Sequence, residues 1–220
     1  KFRPSLTPIG NSDSFYYTAQ QAGKTFVALD KERWGGFDSV NSIKLFPKII
    51  KLAYVAKSGD KSAVYQNGEK GEEMDSISKL RFTLDQKFVR YEGKSEKIGF
   101  AFIDTQKYSK ITQEKLNQNG DIFSYQAYDE SGAFLFVNYK KSGNYDSFQK
   151  TLFTADGYGV EVVAKKDGSE VLLQHLHGKD YVEHEPFSKV KGTTHYYLPY
   201  KEAAYMIPAS SGERTYRLST

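Results

Sequence analysis

A chain of 220 residues with a formal net charge of +4, 17 Tyr, 15 Phe and no cysteine can bury its own core without disulfides or a structural metal. The missing thiols exclude a disulfide scaffold, a thiol nucleophile and thiolate metal sites. Acids and bases are interspersed, and the longest basic runs are pairs such as Lys140-Lys141 and Lys165-Lys166, so no basic stripe marks a nucleic-acid partner.

No apolar run approaches the roughly 18 residues of a membrane helix; the longest, residues 49–56, is broken by Lys51. The chain is therefore expected to be soluble, with no membrane span. Absent cysteine suits export in a bacterium, where an unpaired thiol is a liability. The chain starts at Lys1, as expected after removal of a signal peptide or lipoprotein leader, or for a fragment of a longer chain. The expected location is extracellular, cell-surface or periplasmic. The aromatic content fits half-buried pleated surfaces.

Residues 1–11, with Pro4, Pro8 and Gly10, read as an extended lead-in. Short strands are expected at 15–17 and 25–29. Trp34-Gly35-Gly36-Phe37 reads as a loop with one aromatic anchor. Val40, Ile43, Phe46, Ile50 and Tyr54 recur near helical spacing, but Pro47 interrupts them. A helical turn followed by a strand over 48–56 is expected, with a partner strand at 62–66. Residues 67–75 carry two glycines and four acids and read as an exposed loop.

Strands follow at 79–84, 88–92 and 98–104. Residues 105–119 read as the best helix, with Thr105 as N-cap, a thin face of Tyr108, Ile111 and Leu116, and Gly120 after the end. Two hairpins flank residues 129–132 and the Asp-Gly turn at 166–168. Residues 145–153 form a short helix or a strand. The pattern then loosens, with strands near 194–198 and 216–218. These elements predict a mainly β fold: a single antiparallel sandwich or barrel with one or two short surface helices. One domain over 1–220 is expected, with a possible sub-lobe boundary at 67–75. No internal repeat is recognised.

Phosphate loops, nucleophile elbows, His-Glu-x-x-His helices and EF-hand loops are absent. The four histidines all fall late, at His175, His177, His184 and His195, among Tyr181, Tyr196, Tyr197, Tyr200 and Tyr205. In a strand ending at His177, alternation puts Val171, Leu173, His175 and His177 on one face. Two such imidazoles can converge on a divalent metal, with His195 or His184 as third ligand and Glu183 or Glu185 as ligand or orienting group. Haem is the other cofactor such a face suits. His175, His177, Tyr196 and Tyr197 are therefore the expected ligand-binding residues, and His175, His177 and His195 the expected metal ligands.

The expected function is an exported binding protein whose aromatic, histidine-bearing β-face captures a ligand. A second possibility is a polysaccharide lyase. There His175 or His177 removes the proton beside a uronate carboxylate, Tyr196 or Tyr197 acts as acid, and Arg81 or Arg90 neutralises that carboxylate. A third is an adhesin or structural surface domain. The corresponding partners are a small ligand, a polysaccharide, or a host or cell-surface protein.

Overall fold

A computed structural model describes residues 5–8, 14–46, 51–154, 157–176, 178–184, 188–189, 195–200, 203–208 and 216–219, and side chains within 7–183 of these. Every regular element among them is a strand, and consecutive strands pair antiparallel in six small sheets.

The first sheet contains β1 (Ser5–Pro8), β2 (Phe15–Gln21), β3 (Lys24–Leu29) and β4 (Glu32–Phe37). The second contains β5 (Ser39–Phe46), β6 (Lys51–Ser58), β7 (Lys61–Gln66) and β8 (Glu69–Lys70). The third contains β9 (Ser76–Phe82), β10 (Val89–Ser95), β11 (Ile98–Ile103) and β12 (Gln106–Tyr108). The fourth contains β13 (Lys110–Leu116), β14 (Phe123–Asp129), β15 (Gly132–Val137) and β16 (Lys140–Lys141). In the fifth, β17 (Ser147–Phe148) and β18 (Leu152–Phe153) both pair with β19 (Gly159–Lys166), followed by β20 (Ser169–Leu176) and β21 (Tyr181–His184). The sixth contains β22 (Ser188–Lys189), β23 (His195–Tyr200), β24 (Ala203–Pro208) and β25 (Tyr216–Ser219).

This arrangement corrects the expected single sandwich or barrel with surface helices. Apolar alternation identifies strands but does not say how they group, and here each run of about four strands closes its own sheet. The expected helix over 105–119 is instead the β11–β12 turn followed by β12, β13 and the turn at 117–120. The step from Tyr108 to Ile111 crosses from the third sheet to the fourth, and the odd spacing from Ile111 to Leu116 comes from a β-bulge. Gln113 has φ of +53°, and the β13–β14 register shifts between Thr112 and Lys115. One extra residue turns a spacing of two into three. Ser42 in β5 does the same, with φ of +52°, so Val40 and Ile43 both pack on the core and imitate a helical turn. The Trp34 segment is strand β4 rather than a loop.

A repeat of about 36 residues underlies the sheets. Asp30, Asn67, Asp104 and Asn138 each follow a third strand in left-handed backbone, with φ of 52°, 47°, 53° and 47°. Their amides donate to Phe15, Leu52, Val89 and Phe123 carbonyls at the start of the second strand. Three side chains accept in return, from Phe15 N–H (2.9 Å), Leu52 N–H (2.7 Å) and Phe123 N–H (2.8 Å). Asx residues tolerate this conformation and supply the acceptor.

A second recurring device opens each following sheet. Asp38, Asp75, Ser109 and Asp146 donate from their amides to Lys57, Lys94, Tyr128 and Lys165 carbonyls. The carboxylates of Asp38, Asp75 and Asp146 accept from turn amides of Gly59 (2.7 Å), Glu96 (2.8 Å) and Gly168 (3.2 Å). Lys24 and Lys61, from the preceding sheet, donate to Asp38 and Asp75 at 2.5 Å. One aspartate thus fastens a sheet to its successor.

The chain divides into two compact units, Lys1–Tyr108 and Ser109–Thr220; residues 67–75 lie inside the first and, rather than an exposed loop, contain β8 and the fully buried Met74, which bridges to Ser62. In that unit, Val27 and Phe37 of the first sheet pack on Leu52, Tyr54 and Ala56 of the second. Ala53, Val55 and Val64 of the second pack on Leu80, Val89, Tyr91 and Phe102 of the third. Strand β6 is covered on both faces, which explains its unbroken apolar run. In the second unit, Leu135, Val137 and Tyr145 pack on Val160, Val162, Ala164, Val171 and Leu173. A four-stranded meander stacked face on face is the building block of propeller architectures.

Candidate functional site

The late histidines do not form a described cluster. Strand parity puts His175 with Val171 and Leu173, and this is the face that packs on the fourth sheet. His175 is 5% exposed, with its ring 4.7 Å from the Tyr181 ring in an edge-on contact. By register it stands opposite Val160, the position that Asn138 holds opposite Phe123. His177 lies outside the described residues. His184, His195, Tyr196 and Tyr197 have described backbone in β21 and β23, but their side chains lie outside the described set. Among the described residues no group of three or more His, Asp or Glu is placed to hold a metal ion.

Around His175 the polar groups tie β21 to the fourth sheet. The Tyr181 hydroxyl donates toward the Lys140 carbonyl (2.7 Å) and lies 3.0 Å from that of Leu135. Tyr145 donates to Glu183 at 2.5 Å, and Lys166 donates to both oxygens of the same carboxylate at 2.9 and 3.0 Å. These bonds hold the Glu183 carboxyl below its usual range, Tyr145 first. Burial pushes the Tyr145 and Tyr181 hydroxyls well above theirs.

Arg81 and Arg90, the expected neutralisers, face each other across β9 and β10. Arg81 donates to the Phe82 carbonyl at 3.0 Å. Buried Arg90 donates to the Tyr91 carbonyl at 2.6 Å and to Glu92 at 3.4 Å. Both guanidinium groups are engaged by the protein itself.

Sequence reasoning missed a different surface, in the first unit. The loop from Thr83 to Phe88 is built on one buried threonine. Thr83 N–H donates to the Phe88 carbonyl (2.8 Å), and Phe88 N–H donates to Thr83 Oγ1 (3.2 Å). The Thr83 hydroxyl donates to Asp85 (2.7 Å), and Gln86 N–H donates to the Thr83 carbonyl (2.8 Å). This frame presents Leu84, which is 45% exposed. Phe82 nearby packs on Phe46 with ring centroids 5.5 Å apart. At the same end of the strands, Leu29, Asp30, Lys31, Glu32 and Asn67 line an open pocket. The only sequence signal for the loop was a leucine among turn residues in Thr-Leu-Asp-Gln-Lys.

No helix among the described residues is long and apolar enough to cross a membrane. No family model matches this chain, and no curated protein does. Among solved structures the chain is similar to the β-propeller domain of the Trilobed protease from Pyrococcus furiosus, with TM-score 0.36 and 12% identity, covering 100% of this chain and 84% of that one. It is similar to TolB from Acinetobacter baumannii, with TM-score 0.30 and 12% identity over 86% of this chain and 56% of that one. It is also similar to a prolyl endopeptidase, with TM-score 0.34 and 14% identity over 98% of this chain and 43% of that one. The first of these is described as a β-propeller domain; at these TM-scores and identities the likenesses carry nothing about activity.

Proposed function

We propose that this is a non-catalytic protein-binding domain, the adhesin or surface-domain alternative raised by the sequence, and that it engages its partner through loops at one end of its stacked sheets. The observation that carries this reading is Leu84. A large apolar side chain is costly to leave in water, and here a four-bond loop frame holds it outward. A pre-ordered loop with an apolar anchor loses little entropy on binding. Export is part of this proposal and rests on the absence of cysteine.

The test is selection of a displayed 12-residue peptide library on the intact chain. The wild type and Ile98→Asp, altered at another exposed apolar side chain, select one related peptide family, and Leu84→Asp does not. Absence of any convergent family, or equal selection by Leu84→Asp, overturns the proposal. So does turnover of a uronate polymer with new ultraviolet absorbance, which supports the lyase alternative.

A further inference from the structure

The fourth strands form one edge of each sheet. Among the described residues these are mostly short and charged: β8 is Glu69-Lys70, β16 is Lys140-Lys141 and β12 has 3 residues. Strand β21 is pinned by Tyr181 and Glu183. Short, charged edges resist pairing with other chains. The first strands form the opposite edge. Three of them, β5, β9 and β13, are longer but broken in mid-strand by the bulges at Ser42, Lys79 and Gln113.

Strand β4 carries charged residues too, Glu32 and Arg33, but is longer than β8, β12 and β16 and has no mid-strand bulge. It has 6 residues, and Glu32, Arg33, Gly35 and Gly36 are exposed. Its bulge lies at the far end, where Gly36 has φ of +86°, so Glu32 to Gly35 is regular. The β3–β4 loop has two residues, Asp30 and Lys31, with Leu29 paired to Glu32. In such a hairpin the flanking pair is hydrogen-bonded, so the N–H and C=O of Arg33 and Gly35 point away from β3. No described strand pairs with that edge. The Gly35 position is tightly packed, since a Cβ there would lie 2.1 Å from the Phe26 ring. Arg33 stacks over Phe26 at 3.8 Å and donates to Gln21 at 3.0 Å. Arg33 and Gly35 are thus held against Phe26.

The pocket lies where this edge begins. It contains Leu29 and two carboxylates, Asp30 and Glu32, against one ammonium, Lys31. One Asp30 oxygen accepts from Phe15 N–H. The balance is acidic with an apolar wall, which suits the stem and head of a lysine or arginine side chain.

We infer that the outer edge of β4 accepts an extended segment of a partner protein as an added strand, with a basic side chain of that segment seated between Asp30 and Glu32. Main-chain bonds to Arg33 and Gly35 supply affinity, and the pocket supplies selectivity. This rests on the proposed protein-binding role but uses a surface separate from Leu84.

The test is fluorescence anisotropy with a labelled acetyl-Thr-Val-Lys-Val-Thr-Val amide and the intact protein. Three controls are the same peptide N-methylated at alternate residues, a Lys-to-Glu peptide, and the Arg33→Pro protein. Proline is tolerated where an edge N–H faces water, so Arg33→Pro should keep the sheet, checked by its melt. The parent peptide binds, each control binds at least tenfold more weakly, and Leu84→Asp binds as the wild type does. No binding of the parent peptide, or equal binding of the methylated one, overturns the edge site. If Leu84-dependent selection persists in that case, only the edge site fails. If both vanish, the protein-binding role fails with it.

Discussion

Replacing Asn67 tests the repeat at its most repeated position. Asn67 combines φ of +47° with an amide donating to the Leu52 carbonyl and a side chain accepting from Leu52 N–H at 2.7 Å. Leu52 is fully buried. Asn67→Ala orphans that N–H, at about 1–2 kcal/mol. It also puts a Cβ without compensation in left-handed backbone, at about 1 kcal/mol. The total is about 2–3 kcal/mol. Asn67→Gly removes the second term and costs about 1–2 kcal/mol. Asn67→Asp keeps the acceptor, as Asp30 does in the first sheet, and costs less than about 1 kcal/mol. With a urea m-value of about 2 kcal/mol/M, the alanine midpoint falls by roughly 1 M. The single tryptophan, Trp34, sits in the same unit, so its emission reports the transition. Equal midpoints for Ala and Asp, or Gly less stable than Ala, would refute the assigned roles of backbone and side chain.

Three further outcomes follow from the same geometry. Gly68 has φ of +85°, and a Cβ there would lie 2.0 Å from Trp34 Nε1; Gly68→Ala should cost about 2–4 kcal/mol and shift Trp34 emission, read by urea titration. Asp38 and Asp75 are held below the usual carboxylate range, first by the Lys24 and Lys61 ammonium groups and then by turn amides. Their contribution is present above the unfolded pKa of about 4 and lost as pH falls through the lower folded value. The double variant Asp38→Asn, Asp75→Asn should flatten the acid limb of stability against pH, followed by urea midpoints. Burial pushes Tyr91 up to about 12 and Tyr54, Tyr145 and Tyr181 further up. Stability from these groups is present below the unfolded pKa of about 10 and lost as pH rises toward the folded values. Tyrosinate absorbance should therefore rise in two stages, the second coinciding with unfolding.

The strands were largely legible, because apolar alternation and turn residues are local. The Asp-Gly hairpin forms with φ of 51° at Asp167 and 79° at Gly168. The grouping of strands was not legible, because it depends on connectors that look like ordinary turns. Asp38-Ser39-Val40, Asp75-Ser76-Ile77 and Asp146-Ser147-Phe148 carry the periodic signal, but Ser109 breaks it and the intervals are unequal. Helix was inferred at two of the bulges that reset the parity, Ser42 and Gln113. The parity that groups His175 with Val171 and Leu173 was legible, whereas its burial against the fourth sheet was not. Leu84 was hidden because its exposure follows from Thr83 hydrogen bonds that only the folded loop forms.

The chain is a run of separate four- and five-stranded sheets rather than one continuous sheet. Cross-strand Hα–Hα contacts in an isotopically labelled sample test it most directly. They should run within β5–β8 and within β9–β12, with slowly exchanging amides at Asp38, Asp75 and Asp146 where each new sheet is fastened. Cross-strand ladders joining β4 to β5, or β8 to β9, would contradict the account.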